Sequence, residues 1–290
     1  MKRILTTLIL LIAMTTASIS QTSPKPAKKG YAPVNGLKMY YEIYGKGEPI
    51  LLLHGAYMNI NLNWAPMIPE LAKSRQVIAV EMQGHGHTAD IDRPFDYKSF
   101  ASDVAGLLKH LDIKRTDVIG YSFGGTIALQ FGIDYPELVN KMVIISTAYK
   151  SSGWAEEAQK AFASMQPDFL DNTPLKTTYD TIAPDPGHWR EFVTKFIDFD
   201  QKSYDLGSEN IKNISAPILF IMGDNDGVEL SHVTEMYKLC GGGVFADFVG
   251  VPQSQLAIIP GKGHVSLMMD TSNILSYVNP FLKGNGSTQY

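Results

Sequence analysis

The chain predicts an α/β domain in which helices cover both faces of a mainly parallel sheet and a small helical cap is inserted late in the element order. Three observations carry this expectation. Short runs of Ile, Val and Leu are almost unbroken, as in strands buried on both faces. Between them lie stretches whose apolar residues recur at helical spacing. The alternation lapses once, between residues 146 and 217, and then resumes. With 290 residues, 44% of them hydrophobic, the chain can fill a sizeable core.

The first twenty residues stand apart. Lys2 and Arg3 precede a largely apolar stretch, 4–17, and small and polar residues follow at 18–20, the pattern of a cleavable secretory signal. That stretch includes four Thr and falls short of the roughly 20 apolar residues a bilayer span requires. A periplasmic or secreted protein is expected, cut near Ser20 and Gln21, and loss of Lys2 and Arg3 takes the formal charge from −4 to −6. Residues 21–33, with Pro24 and Pro26 among lysines, read as a flexible leader before a domain at 34–284. Cys240 is the only cysteine, which excludes an intrachain disulfide and leaves none beside the signal for a lipid. Lys and Arg are scattered, so a nucleic-acid partner is not expected, nor stable membrane insertion once the signal is removed. Monomer and homodimer both remain open.

From residue 37 the elements follow in order. Residues 37–44, 49–53 and 77–82 read as strands, with a helix at 63–72 between the second and third. A helix at 97–111, a strand at 117–120, a helix at 123–135 and a strand at 142–146 come next. The aromatic-rich stretch that follows, with helical pieces at 154–165 and 188–199, reads as a cap insertion of about 148–212. The sheet then resumes with a strand at 218–222, a helix at 229–239, a strand at 255–259 and a last helix at 266–281. The connection 241–254 is long for a helix-to-strand link and carries Phe245, Phe248 and Val249. It lies at the amino end of the sheet, away from the ligand-binding edge, and is expected to be a packing flap or else a self-association surface.

Chemistry concentrates at the other edge. Gly120-Tyr121-Ser122-Phe123-Gly124-Gly125 joins the 117–120 strand to the 123–135 helix, a tight turn that lifts a serine hydroxyl clear of the backbone. Such a serine needs a base, and the base an orienting acid. His264 follows the last strand in a glycine-bearing loop, whereas His110 and His232 fall inside helices and His188 in the cap. The acid is expected at a strand end between Ser122 and His264. Asp226, three residues after the turn glycine Gly223, has cleared its strand and is the choice; Asp224 is the rival, with an Asx turn as its ordinary use. Donors to an oxyanion are expected from Phe123 N–H and from the 54–57 loop, through Ala56 N–H or Tyr57 N–H. Tyr57, Trp154 and Trp189 are candidate substrate-binding residues, with Phe162 and Phe192 as further aromatics of the cap. His85 and His87 lie two apart with Glu81 nearby, but Gly84-His85-Gly86 is accounted for as a turn, and neither metal nor other cofactor is expected.

Taken in order, His54-Gly55, Gly84-His85-Gly86, Gly120-x-Ser122-x-Gly124-Gly125, Gly223-x-x-Asp226 and Gly263-His264 resemble the α/β-hydrolase superfamily over roughly residues 34–282. Within it the chain is similar to small serine esterases and cofactor-free haloperoxidase-like hydrolases. That resemblance implies the α/β-hydrolase fold with a mostly parallel eight-stranded sheet, one strand more than the runs above supply. It also implies cleavage of a carboxylic ester, or a similar acyl bond, of a small apolar substrate through an acyl-enzyme. Acyl transfer to another acceptor is the alternative, and a ligand-binding protein without catalysis the third. Glu81 and Gln83 stand where relatives commonly have Asp and Arg, a departure that bears on loop bracing more than on chemistry.

Expression of the full chain in a Gram-negative host tests the amino-terminal reading. Mass spectrometry of the periplasmic fraction should find a protein that begins near Gln21; an uncut chain held in the cytoplasm would overturn it.

Overall fold

The computed structural model describes residues 24–284. The expected signal at 1–20 and the first three residues of the expected leader lie outside them. Eight strands form one sheet: β1 (Lys28–Val34), β2 (Leu37–Tyr44), β3 (Glu48–Leu53), β4 (Arg75–Val80), β5 (Thr116–Tyr121), β6 (Val139–Ile145), β7 (Ile218–Gly223) and β8 (Gln255–Ile259). Their spatial order is β1-β2-β4-β3-β5-β6-β7-β8. β2 runs antiparallel to both β1 and β4, and every other neighbouring pair is parallel.

β1 corrects the reading of residues 21–33 as a leader. From Lys28 the segment pairs with β2, burying Ala32 and Val34 while its lysines face water. Charged side chains and Pro33 suit an edge strand, and they disguised it as linker. The local signal was Asn35-Gly36, a two-residue hairpin turn whose residues both adopt positive φ, 48° and 82°.

Alternate residues of each central strand feed two cores. Leu51 and Leu53, Val118, Met142 and Ile144, and Phe220 and Met222 point to one face. There they meet α3 (Tyr97–His110), α4 (Phe123–Asp134) and the insertion between β6 and β7. Ile50 and Leu52, Ile119, Val143 and Ile145, and Leu219 and Ile221 point to the other. That face is covered by α1 (Ile60–Trp64), α2 (Ile68–Leu71) and the carboxyl-terminal α12 (Thr271–Lys283). The helix expected at 63–72 is thus two short ones, because Pro66 between them has no N–H to continue the first. Asp96 caps α3 by accepting the Ser99 N–H at 3.0 Å, and Lys109 and His110 occupy its last turn, where the helix dipole favours cations.

The insertion contains α5 (Glu156–Ala163), α6 (Pro174–Ile182), α7 (Trp189–Asp200) and α8 (Ser208–Lys212). Trp189, Phe192, Val193, Phe196 and Ile197 of α7 repeat at helical spacing and are buried. After β7 come α9 (Leu230–Leu239) and α10 (Ala246–Val249), then α11 (His264–Met268) after β8. The 241–254 segment is not a packing flap: Phe245 is 65% and Phe248 81% exposed, with Val249 also outside.

The turn after β5 fixes the rest of the geometry. Ser122 adopts φ 53° and ψ −119°, and its N–H donates to Ile145 O at 2.9 Å. A Cβ at Gly124 would lie 2.1 Å from Leu53 O, and one at Gly120 2.3 Å from Gly124 O. Both partners are backbone and cannot swing aside. Gly124→Ala should therefore cost about 3 kcal/mol or more, the upper end of core overpacking. Urea denaturation monitored by circular dichroism would measure it, and an unchanged midpoint would contradict so tight a contact.

Candidate active site

Ser122 leaves the end of β5, and His264 opens α11 after β8. The Ser122 hydroxyl donates to His264 Nε2 at 3.0 Å, and His264 Nδ1 donates to Asp226 Oδ1 at 2.9 Å. Those two bonds assign the imidazole tautomer, with the proton on Nδ1. Asp226 comes from the loop after β7, and its side chain is fully buried. Its Oδ1 also accepts the Val228 N–H at 3.2 Å, and its Oδ2 the Ser146 hydroxyl at 2.6 Å. Burial by itself would raise this carboxyl, but the facing His264 and these hydrogen bonds outweigh it and hold the pKa below the ordinary carboxylate range.

Asp224, the rival, does other work. Its Oδ1 accepts the Lys262 N–H at 3.2 Å and the Asn225 side-chain amide at 2.7 Å. The Asn225 N–H reaches Lys262 O at 2.9 Å, so the acid loop and the histidine loop are sewn together. Gly223 permits this approach, since a Cβ there would lie 2.0 Å from Lys262 O.

The 54–57 loop is braced from three sides. Asn63 Oδ1 takes the Gly55 N–H at 2.7 Å, His54 Nδ1 donates to Gly55 O at 2.8 Å, and His85 Nε2 takes the Tyr57 N–H at 3.2 Å. Tyr57 N–H is thereby occupied, and Tyr57 itself is held at φ 60°. Among the described residues no protein acceptor takes the Ala56 N–H. Phe123 is the first residue of α4, where an N–H has no acceptor within its own helix. Both residues line the same pocket as Ser122.

The two bracing histidines are neutral. His54 Nε2 accepts the Met82 N–H at 3.1 Å, and His85 Nδ1 donates to Gln83 O at 3.0 Å, so each ring spends one nitrogen as acceptor and one as donor. Burial pushes the His54 pKa down to about 4, against a smaller raising effect of the Gly55 carbonyl. Burial, and then the neighbouring His54, hold His85 well below the usual imidazole value. Glu81 and Gln83 act as braces in the same region. Glu81 accepts the N–H groups of Ile60 at 3.3 Å and His87 at 2.6 Å, while Gln83 links Asp90 to Arg93, which in turn pairs with the buried Asp103.

A cavity of about 260 Å³ opens above Ser122, lined by Tyr57 and Trp154 together with Phe162, Met165, Leu170 and Leu175 from the insertion. A more voluminous groove of about 460 Å³, between Pro94 and Phe95 on one side and α7 on the other, contains neither Ser122 nor His264. Trp154 stands edge-on to the His264 ring at 5.5 Å and donates from Nε1 to the Tyr204 hydroxyl at 3.1 Å. Trp189 does not line the cavity. Its indole faces into the cap, tilted against the rings of Tyr179 at 5.1 Å and Phe192 at 6.1 Å, and donates to Asp171 at 3.0 Å. Phe192 is likewise one layer back, edge-on to His85 at 4.8 Å.

Three participants were not anticipated. Ser146, the residue after β6, adopts φ 50° and holds Asp226; Tyr121 donates its hydroxyl to His264 O at 3.1 Å; Asp200 brings a carboxylate to the pocket wall. Only Ser146 left a local trace, because it occupies the strand end next to the acid's own. Among the described residues no group of three or more His, Cys, Asp and Glu is placed to hold a metal, and no helix is long and apolar enough to cross a membrane.

Comparison with known proteins adds relatives. A family model described as the alpha/beta hydrolase fold matches residues 48–188. Over 131 residues, 44% of the chain, the sequence is 34% identical to 2-hydroxymuconate semialdehyde hydrolase of Pseudomonas sp. (strain CF600), and this covers 46% of that relative, less than half its length. Mouse serine hydrolase BPHL is 27% identical over 212 residues, covering 67% of the chain and 68% of the relative. Among solved structures, Est816, described as an N-acyl homoserine lactone degrading enzyme, superposes with a TM-score of 0.67 at 22% identity, covering 87% of this chain and 99% of its own.

The neutral histidines predict how stability follows pH. An unfolded chain protonates His54 below about 6.5, whereas the folded chain resists until about 4. Stability should fall as pH drops through that window, by roughly 3 kcal/mol for a shift of this size. Burial raises Asp200 to about 6 and works in the opposite sense, but its side chain stays open to solvent and counts for less. Urea midpoints at pH 7 and 4.5 should differ clearly in the wild type and less in His54→Gln; equal slopes would exclude the buried imidazole as the cause.

Proposed function

We propose that this chain, which belongs to the α/β-hydrolase superfamily, is a serine hydrolase that cleaves a carboxylic ester of a small, largely apolar substrate through an acyl-enzyme. The observation that carries this reading is the unbroken hydrogen-bonded chain from Ser122 through His264 to Asp226, opening into an apolar pocket. The hydrolase relatives support hydrolysis as the reaction.

In this mechanism His264 Nε2 takes the Ser122 proton as Oγ attacks the ester carbonyl carbon. The carbonyl oxygen becomes an anion and is met by the N–H groups of Ala56 and Phe123, which are held in place before the reaction and so cost no reorganisation during it. Asp226 stabilises the imidazolium that forms and keeps Nε2 aimed at the reacting atoms. His264 then gives its proton to the departing alkoxide as the C–O bond breaks, leaving Ser122 acylated. A water molecule, deprotonated by the same nitrogen, attacks the acyl carbon and releases the carboxylic acid and the free serine. The apolar wall formed by Trp154 and the insertion keeps bulk water from competing with these interactions. Export under the amino-terminal signal would place the activity outside the cytoplasm.

Ser122→Ala should lower kcat for a p-nitrophenyl ester by roughly 10³- to 10⁶-fold and abolish labelling by a fluorophosphonate. Asp226→Asn should cost about 10³- to 10⁴-fold with little change in KM, because the tautomer and the imidazolium lose support while the pocket does not. Asp224→Asn should cost far less. Unchanged turnover in Ser122→Ala would remove the mechanism.

A further inference from the structure

One ionisable group in the pocket wall has no part in the chemistry above. Asp200, the last residue of α7, borders the same cavity as Ser122 and His264 and also two further grooves on the cap surface. It stands at the mouth, open to solvent on one side and crowded by protein on the others, and this loss of water pushes its pKa up to about 6. At neutral pH it is therefore ionised. Nothing compensates it: among the described residues Asp200 forms no hydrogen bond and no ion pair. No lysine or arginine lines the cavity. Lys202 shares the outer grooves with Asp200 but not the reactive pocket.

On the cavity side the carboxylate shares its wall with tyrosines. Its charge is felt by the hydroxyls of Tyr57, Tyr97 and Tyr204, each of which it helps to raise. The Tyr97 and Tyr204 rings lie 5.0 Å apart, and both line the cavity. A carboxylate without a partner, sharing the wall of a lysine- and arginine-free cavity with Tyr57, Tyr97 and Tyr204, repels an anion and attracts a cation. Its position at the end of a helix, where the dipole disfavours negative charge, gives no structural reason for an acid there.

Resting on the serine hydrolase reading, we infer that Asp200 and the tyrosines beside it form a cation subsite, so that the ester cleaved at Ser122 carries an alkylammonium group. The ammonium sits at the mouth and the apolar remainder reaches inward past Trp154. An ester bearing a carboxylate at that place meets repulsion without any compensating base.

The test uses two isosteric esters that differ by one atom and one charge, 2-(trimethylammonio)ethyl butyrate and 3,3-dimethylbutyl butyrate. In the wild-type chain kcat/KM should favour the cationic ester by about tenfold, mostly through KM, as expected for a partly desolvated cation–π and ionic contact. Asp200→Asn should bring the ratio close to one, and Asp200→Glu should keep part of the preference. A wild-type ratio near one, or a preference that survives in Asp200→Asn, overturns the cation subsite. Calorimetric affinities of both esters for Ser122→Ala give the same ratio without turnover. If p-nitrophenyl butyrate is not hydrolysed by the wild type, the hydrolase reading fails, and the calorimetric ratio decides the subsite by itself.

Discussion

How closely the backbone of the Ser122 turn can press against the end of β3 decides what the carboxyl edge of this sheet is able to hold. Gly124 is in contact with the carbonyl of Leu53, at a distance that admits no side chain, and that contact sets the start of α4 beside the 54–57 loop. Phe123 N–H and Ala56 N–H line one cavity for this reason. A similar backbone approach, Gly223 against Lys262, joins the acid loop to the histidine loop. The reactive geometry is thus laid down first by main chain, and the side chains are hung on it afterwards.

Neutrality does as much as position. His54 and His85 lie within 4.8 Å of each other, centroid to centroid, fully buried, and each uses both nitrogens to hold main chain in place. A second proton on either ring would take away the acceptor for Met82 or Tyr57 and bury a charge beside the loop. Asp226 is the opposite case, a carboxylate kept ionised by donors from three different segments. One set of groups is stabilised without charge and the other with it, a few residues from the same reacting atoms.

Much of this was legible along the chain because its causes are local. Glycines must flank a turn that touches backbone, the histidine and carboxylate that face the serine follow strand ends, and both arrangements leave marks within a few residues. Asp226 could be preferred over Asp224 for the same reason, reach beyond the strand. The unread parts have distant causes. β1 carries lysines and a proline because it is an edge, and those residues imitate a linker. Trp154 and Trp189 are alike in composition and context, but helical phase and an acceptor on Asp171 turn Trp189 into the cap, while Tyr204 and His264 keep Trp154 over the site. Asp200 reaches the pocket only because α7 ends where it does.

The attachment of the insertion to the sheet has an evolutionary consequence. Trp154 bridges to Val228, and Ala155 N–H donates to Gly227 O at 2.8 Å, so the first residues of the insertion are bonded to the loop that carries Asp226. Gly153 is pinned further, since a Cβ there would collide with the His232 ring. Beyond residue 155 the helices meet the site through side chains, some lining the cavity and others, such as Phe192 and Phe196, packed one layer behind it. Variation can therefore reshape what enters the pocket from α5 to α7 without disturbing the acid, while residues 153–155 are constrained together with the acid loop. Substrate range and catalytic competence are inherited through different parts of the same insertion.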